Sequence, residues 1–150
     1  MATPPPTRLH IVVGYDGSPP ASRALDGAVR LLQGRDGRII VVYVAHVPGL
    51  DMLSADAIVE VEADFDEIGK ELRASAAEQL GADGVAWEFQ QRQGLIAGEL
   101  IEAASAISHD NPGDTTVIAV GSSSKASHRI VGSVAVSLAR HCPVPLVIVP

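Results

Sequence analysis

Four stretches of the chain are apolar and rich in β-branched residues: Leu9–Tyr15, Ile39–Val44, Thr115–Val120 and Val144–Val149. Near-continuous Val/Ile runs of this kind suit strands covered on both faces, as the strands of a parallel sheet are. A fifth segment, Val85–Gln91, alternates instead. Val85, Trp87 and Phe89 fall on one side, Glu88 and Gln90 on the other, which predicts a half-exposed edge strand. Between these segments the apolar period becomes helical. Ala24, Leu25, Ala28, Val29 and Leu32 form one stripe within Ala21–Gln33, and Ile58, Val61, Phe65, Ile68, Leu72, Ala76 and Leu80 mark a longer helix. Leu100, Ile101 and Ala104 do the same within Ile96–Ile107, and Val134, Leu138 and Ala139 within Gly132–Arg140.

The order is therefore β-α-β-α-β-α-β-α-β. Strict alternation implies an α/β fold, an open five-stranded parallel sheet with right-handed crossovers and helices on both faces. The one sizeable irregular stretch is His46–Ser54, after the second strand. No internal repeat and no second domain is legible. One domain is expected over residues 8–150, preceded by a disordered tail, Met1–Thr7, with three consecutive prolines and no apolar core of a secretory signal.

Composition narrows the partners. Nearly half the residues are apolar (47%) but only 3% are aromatic, so aliphatic side chains must fill the core. The net charge of −7 disfavours nucleic acid, where affinity comes largely from neutralising phosphates. No Lys/Arg run resembles a polybasic patch and no apolar run approaches a spanning length, so no membrane partner is expected. A single cysteine, Cys142, leaves no intrachain disulfide and no zinc cluster, and points to the cytoplasm.

Ligands of open α/β sheets bind beyond the carboxyl ends of the strands, where the strand order reverses. Two loops rich in small residues follow strands: Gly14–Ser18 and Gly121–Ser133. In the second, small residues let backbone N–H groups approach an anion, and a helix start adds a favourable dipole. Ser122, Ser123, Ser124 and Ser133 supply hydroxyls, and Lys125 and Arg129 supply charge. A surface loop whose serines merely cap the next helix accounts for the same residues equally well. Asp16 likewise has two readings, an acceptor for a ribose or base and the organiser of an Asx-turn. Neither loop matches the P-loop or the Gly-x-Gly-x-x-Gly dinucleotide pattern.

At these loops the sequence resembles the universal stress protein family, from about Arg8 to the C-terminus. The resemblance rests on Val12–Ser18, on His46-Val47 after the second strand and on Gly94 before the third helix. It is completed by Val117–Gly121, Gly132-Ser133 and the proline-flanked Cys142–Val149. It implies strand order 3-2-1-4-5, a Rossmann-like, adenine nucleotide alpha hydrolase-like arrangement that sets the two loops side by side. It also implies a homodimer paired through the C-terminal strand, an uncharged edge that is an aggregation hazard unless covered. Carried over position by position, the adenosine end of a nucleotide site uses Gly14, Asp16 and Val47. The phosphate end uses Gly121, Ser123, Ser124, Gly132, Ser133 and Val134. The ligand implied is ATP or another adenine nucleotide, with Mg if a triphosphate binds.

One departure stands out. ATP-binding members of the family carry Gly, two residues, Gly, nine residues, then Gly-Ser/Thr. Here Gly121 is followed by two residues, then Ser124 in place of the glycine, then only seven residues before Gly132-Ser133. A serine forced into a left-handed conformation costs about 1–2 kcal/mol. Lys125, His128 and Arg129 offer compensating charge.

Other reactive residues have plainer readings. Cys142 is read as a buried structural thiol, His141 as a partner of a helix C-terminus, His46 as a core-edge histidine and Trp87 as a packing residue. No catalytic set is legible. The expectation is a non-enzymatic regulatory module that binds an adenine nucleotide as a homodimer in the stress response. The alternatives are a stress-associated dimer acting through protein contacts and, after it, a weak adenine-nucleotide hydrolase.

Overall fold

The structure, a computed structural model, describes residues 2–4, 7–82, 84–122 and 132–150. Part of the expected tail and the candidate residues Ser123, Ser124, Lys125, His128 and Arg129 lie outside the described residues. The elements run β1 (Leu9–Gly14), α1 (Pro19–Leu32), β2 (Gly37–Ala45), α2 (Ala55–Leu80), β3 (Trp87–Gln93), α3 (Ile96–Asp110), β4 (Thr115–Gly121), α4 (Ser133–His141) and β5 (Leu146–Val149). A single 3-10 turn, Leu50–Met52, interrupts the loop before α2. The sheet is parallel throughout, in the order β3-β2-β1-β4-β5. This is the architecture that the alternation and the resemblance imply.

Strand periodicity splits the core into two layers. Ile11 and Val13 of β1, with Tyr15 just beyond it, face α1 and the C-terminal half of α2, where Ala76 and Leu80 are buried. Val12 of β1, Ile40 of β2 and Ile118 of β4 face the other way, onto Leu100 and Ala104 of α3 and Leu138 of α4. The central strands are covered on both faces, which is why their sequences do not alternate.

Several boundaries shift for local reasons. Helix α1 begins at Pro19 rather than Ala21, because Ser18 caps it by accepting from the Ala21 N–H and the two prolines fill positions that need no donor. Ser54 caps α2 through the Ala57 N–H, so that helix starts at Ala55 rather than near Ile58. Strand β3 is displaced two residues from Val85–Gln91, since pairing with β2 runs from Ile39↔Trp87 to Ala45↔Gln93. Val85 still packs on the core from outside the strand. Strand β5 begins at Leu146, because Pro145 has no N–H to give the ladder and contributes only its carbonyl, to Ile118 N.

Candidate functional site

Strands β1 and β4 are neighbours, yet the chain leaves β1 toward one edge of the sheet and β4 toward the other. Their carboxyl ends, Gly14 and Gly121, therefore open a crevice. A cavity of about 280 Å³ occupies it. Val42, Val44, Leu100 and Val120 supply an apolar interior, and Asp16, Ser18 and Gly132–Val134 supply polar groups. A Cβ on Gly14 would stand 3.1 Å from Leu100 Cδ1, so glycine keeps the strand end close to α3. Gly121 is needed for another reason: a Cβ there would overlap the backbone carbonyl of Pro20 in α1.

The Gly14–Ser18 loop is held as a turn. Asp16 Oδ1 accepts from the Ser18 N–H at 3.0 Å, and Gly17 has φ of +78°. The Asx-turn reading of Asp16 is therefore realised. It commits only one carboxylate oxygen, and Asp16 is exposed at the cavity, so the ligand reading is compatible with it. Facing it, Gly132 caps α4 with φ −56° and no side-chain hydrogen bond. The first-turn N–H groups of a helix have no intrahelical partner, and here they border the cavity.

The structure thus brings together Gly14, Asp16, Gly121, Gly132, Ser133 and Val134. Val47 is placed elsewhere. It lines a hollow of about 630 Å³ with Leu50, Ile58, Gly94 and Leu95, past the ends of β2 and β3. His46 is exposed rather than a core-edge residue; its Nδ1–H donates to the Gly94 carbonyl at 3.2 Å. Cys142 is half-buried, not fully buried. His141 donates from Nδ1 to the Ser137 carbonyl at 3.0 Å, the helix-end role expected of it. Trp87 packs against the core.

Comparison with known proteins decides the relationship. The model of the universal stress protein family matches residues 7–150. The chain belongs to the universal stress protein family. Among solved structures, a universal stress family protein from Burkholderia pseudomallei is 28% identical (TM-score 0.62), covering 94% of this chain and 95% of that one. A universal stress protein in complex with cAMP is 24% identical (TM-score 0.67; 95% and 97% covered). A family protein from Arabidopsis thaliana with AMP bound is 15% identical (TM-score 0.64; 96% and 91% covered). No curated protein matches significantly.

In this universal stress protein the opposite end of the sheet holds a polar network that sequence reasoning missed. His10 is almost fully buried, with Nε2 2.8 Å from Asp114 Oδ2 and Nδ1 accepting from Arg38 Nε at 3.2 Å. Arg38 also reaches Glu88 at 3.3 Å. The signal was present: polar residues open three apolar strands at paired positions, His10↔Arg38 and His10↔Thr116. The His10 hydrogen bond chiefly holds the Asp114 carboxyl below its ordinary value, with partial burial opposing it and the Arg8 N–H assisting. Among the described residues no group of three or more His, Cys, Asp or Glu is arranged around a metal position. None of the described helices is long and apolar enough to cross a membrane.

Proposed function

We propose that this universal stress protein binds an adenine nucleotide in the β1/β4 crevice and acts as a homodimeric, cytoplasmic regulatory module rather than as an enzyme. One observation carries the reading: a single cavity joins the Gly14–Ser18 turn to the start of α4 over an apolar interior. Such a cavity suits a flat, mostly apolar base, with polar groups left to orient the rest. Asp16 Oδ2 accepts from ribose hydroxyls, and the N–H groups of Ser133 and Val134 with Ser133 Oγ take phosphate.

At about 280 Å³ the cavity falls just below the roughly 300–1,000 Å³ range of small-molecule sites. Ser124 in place of the motif glycine and the spacer shortened by two residues favour a monophosphate or cyclic nucleotide over ATP. The relatives solved with cAMP and with AMP support the same class. Where a triphosphate does bind, Mg arrives with it, since Mg is held largely by phosphate oxygens and water with one or two carboxylates.

Isothermal titration with AMP, cyclic AMP, ADP and ATP tests the reading. Saturable heat with at least one, tightest for the monophosphates, is expected; no heat and no thermal shift with any of them overturns it. The shortened, serine-bearing loop also favours a second reading, a dimer acting through protein contacts alone. Release of stoichiometric adenine nucleotide from the denatured purified protein eliminates that alternative. Sustained phosphate release from ATP, lost in Asp16→Ala, would reassign the protein as a hydrolase.

A further inference from the structure

Helix α2 is longer than the sheet it covers. Its 26 residues span about 39 Å at ~1.5 Å per residue, against about 23 Å for the seven residues of β3 at ~3.3 Å each. Contact with the sheet begins near Phe65, whose ring stacks on Tyr43 of β2 at 5.8 Å, and Gln91 of β3 donates to the Phe65 carbonyl. The buried residues of the helix are Gly69, Ala76 and Leu80, all beyond that point. The preceding turns project past the ends of β2 and β3, and none of their residues is buried.

This overhang keeps an apolar character that the fold does not use. Ile58 lines the 630 Å³ hollow with Val47, Leu50 and Leu95. In the same stretch of surface chain, Met52 is 85% exposed, Val59 64% and, across the hollow, Leu95 71%. The charge around it is one-sided. Asp51, Asp56, Glu60, Glu62, Asp64, Asp66 and Glu67 are all exposed, and no Lys or Arg occurs between Asp51 and Gly69. These seven acids equal the net charge of the whole chain, −7, so the remainder of the sequence is balanced.

We propose that the N-terminal half of α2, with the hollow beside it, docks a basic amphipathic segment of another protein. The apolar residues give such a segment its anchor, and the surrounding carboxylates select lysine and arginine on its polar face. A second copy of this chain is the wrong occupant, because a two-fold contact would set the acidic patch against itself. Anionic lipid and nucleic acid are repelled by the same charge. The surface adjoins the nucleotide cavity, since His46 and Leu95 also line a hollow that reaches Ser133 and Val134, but the inference does not rest on nucleotide binding.

The test uses the full chain and a short synthetic peptide with leucines on one helical face and lysines on the other. Controls are a scrambled peptide of identical composition and a leucine/glutamate version. Saturable binding of the leucine/lysine peptide is expected, with amide NMR shifts confined to Leu50–Ile68 and Leu95. Val59→Ser with Leu95→Ser should weaken it about tenfold or more, since each anchor loses its burial. Glu60→Lys with Glu67→Lys should weaken it further and reduce its dependence on salt. These positions are exposed, so unchanged circular dichroism certifies the fold. Equal binding of the scrambled peptide, shifts elsewhere on the protein, or no binding overturns the proposal. So does protection of the patch in a self-associated form of the chain.

Discussion

His10 Nε2 and Asp114 Oδ2 lie 2.8 Å apart, joining the first residues of β1 to the turn that precedes β4. Arg38 donates to the other ring nitrogen, so Nε2 is left to carry the N–H that Asp114 accepts. The bond is charge-assisted from the carboxylate side. Folding thereby lowers the Asp114 pKa from its ordinary 3.8. A carboxyl with a depressed folded-state pKa contributes stability that is fully present above the unfolded value and is lost as pH falls through the folded one. Asp114→Asn should therefore lower the urea midpoint at neutral pH, with the gap to wild type closing as pH drops below 3.8. Urea titrations at stepped pH read this directly; a gap that stays constant into acid would remove Asp114 from the acid response.

Thr116 pairs with His10 across the β1–β4 ladder and is buried, yet its Oγ1 makes no hydrogen bond among the described residues. An unsatisfied buried hydroxyl is costly, whereas an apolar group of the same shape is not. Thr116→Val should raise stability by about 1 kcal/mol, measured by urea unfolding. A loss of stability instead would mean that the hydroxyl has a bound partner, most simply water.

Asp16 is tested by separating its two roles. Asparagine retains the Oδ1 acceptor for the Ser18 N–H and so keeps the turn, but it removes the charge; alanine removes both. Asp16→Asn should leave the melting temperature unchanged and weaken adenine nucleotide binding about tenfold, as expected for losing a hydrogen bond to a charged group. Asp16→Ala should lower both. Nucleotide affinity equal to wild type in Asp16→Asn would confine Asp16 to the turn.

The uneven legibility of the sequence follows from the range of each interaction. Alternation of Val/Ile runs with helical stripes exposes the architecture because burial on two faces acts on every residue of Ile39–Val44 or Thr115–Val120. Strand ends are set by partners far along the chain, which is why β3 runs to Gln93 and not Gln91. Gly14 and Asp16 are legible because a strand followed directly by a small-residue turn fixes its own geometry, and Gly132-Ser133 because it opens the apolar period of α4. Val47 could not, since its position depends on where the irregular His46–Ser54 stretch settles against Gly94 and Leu95. His10, Arg38 and Asp114 were missed because their meeting depends on strand register.

Gly121 shows how a motif glycine can have a packing cause. A Cβ at this position meets the Pro20 backbone, which cannot move without shifting the start of α1. Gly121→Ala should cost about 1–3 kcal/mol of stability, the usual range for overpacking. Its melting temperature should fall with or without nucleotide. An unaltered melting temperature accompanied by lost binding would instead assign Gly121 to the ligand.

The proposed homodimer is tested at β5. Among the described residues this strand pairs only with β4, which leaves its outer edge open, and Ile148 is 37% exposed on the same side of the sheet as Val136 of α4, itself 40% exposed. Leu146–Val149 carries no charge and no proline, the usual protections of an edge. A second copy of β5 satisfies both the unpaired backbone groups and the apolar side chains. The wild-type protein should therefore sediment as a dimer at micromolar concentration. Ile148→Lys places a charge at the centre of that contact and should weaken association about tenfold or more while leaving the monomer folded, since the side chain is not needed inside either core layer. Sedimentation equilibrium with circular dichroism on the same samples distinguishes the outcomes. A wild-type monomer, or a dimer indifferent to Ile148→Lys, would move the interface off β5.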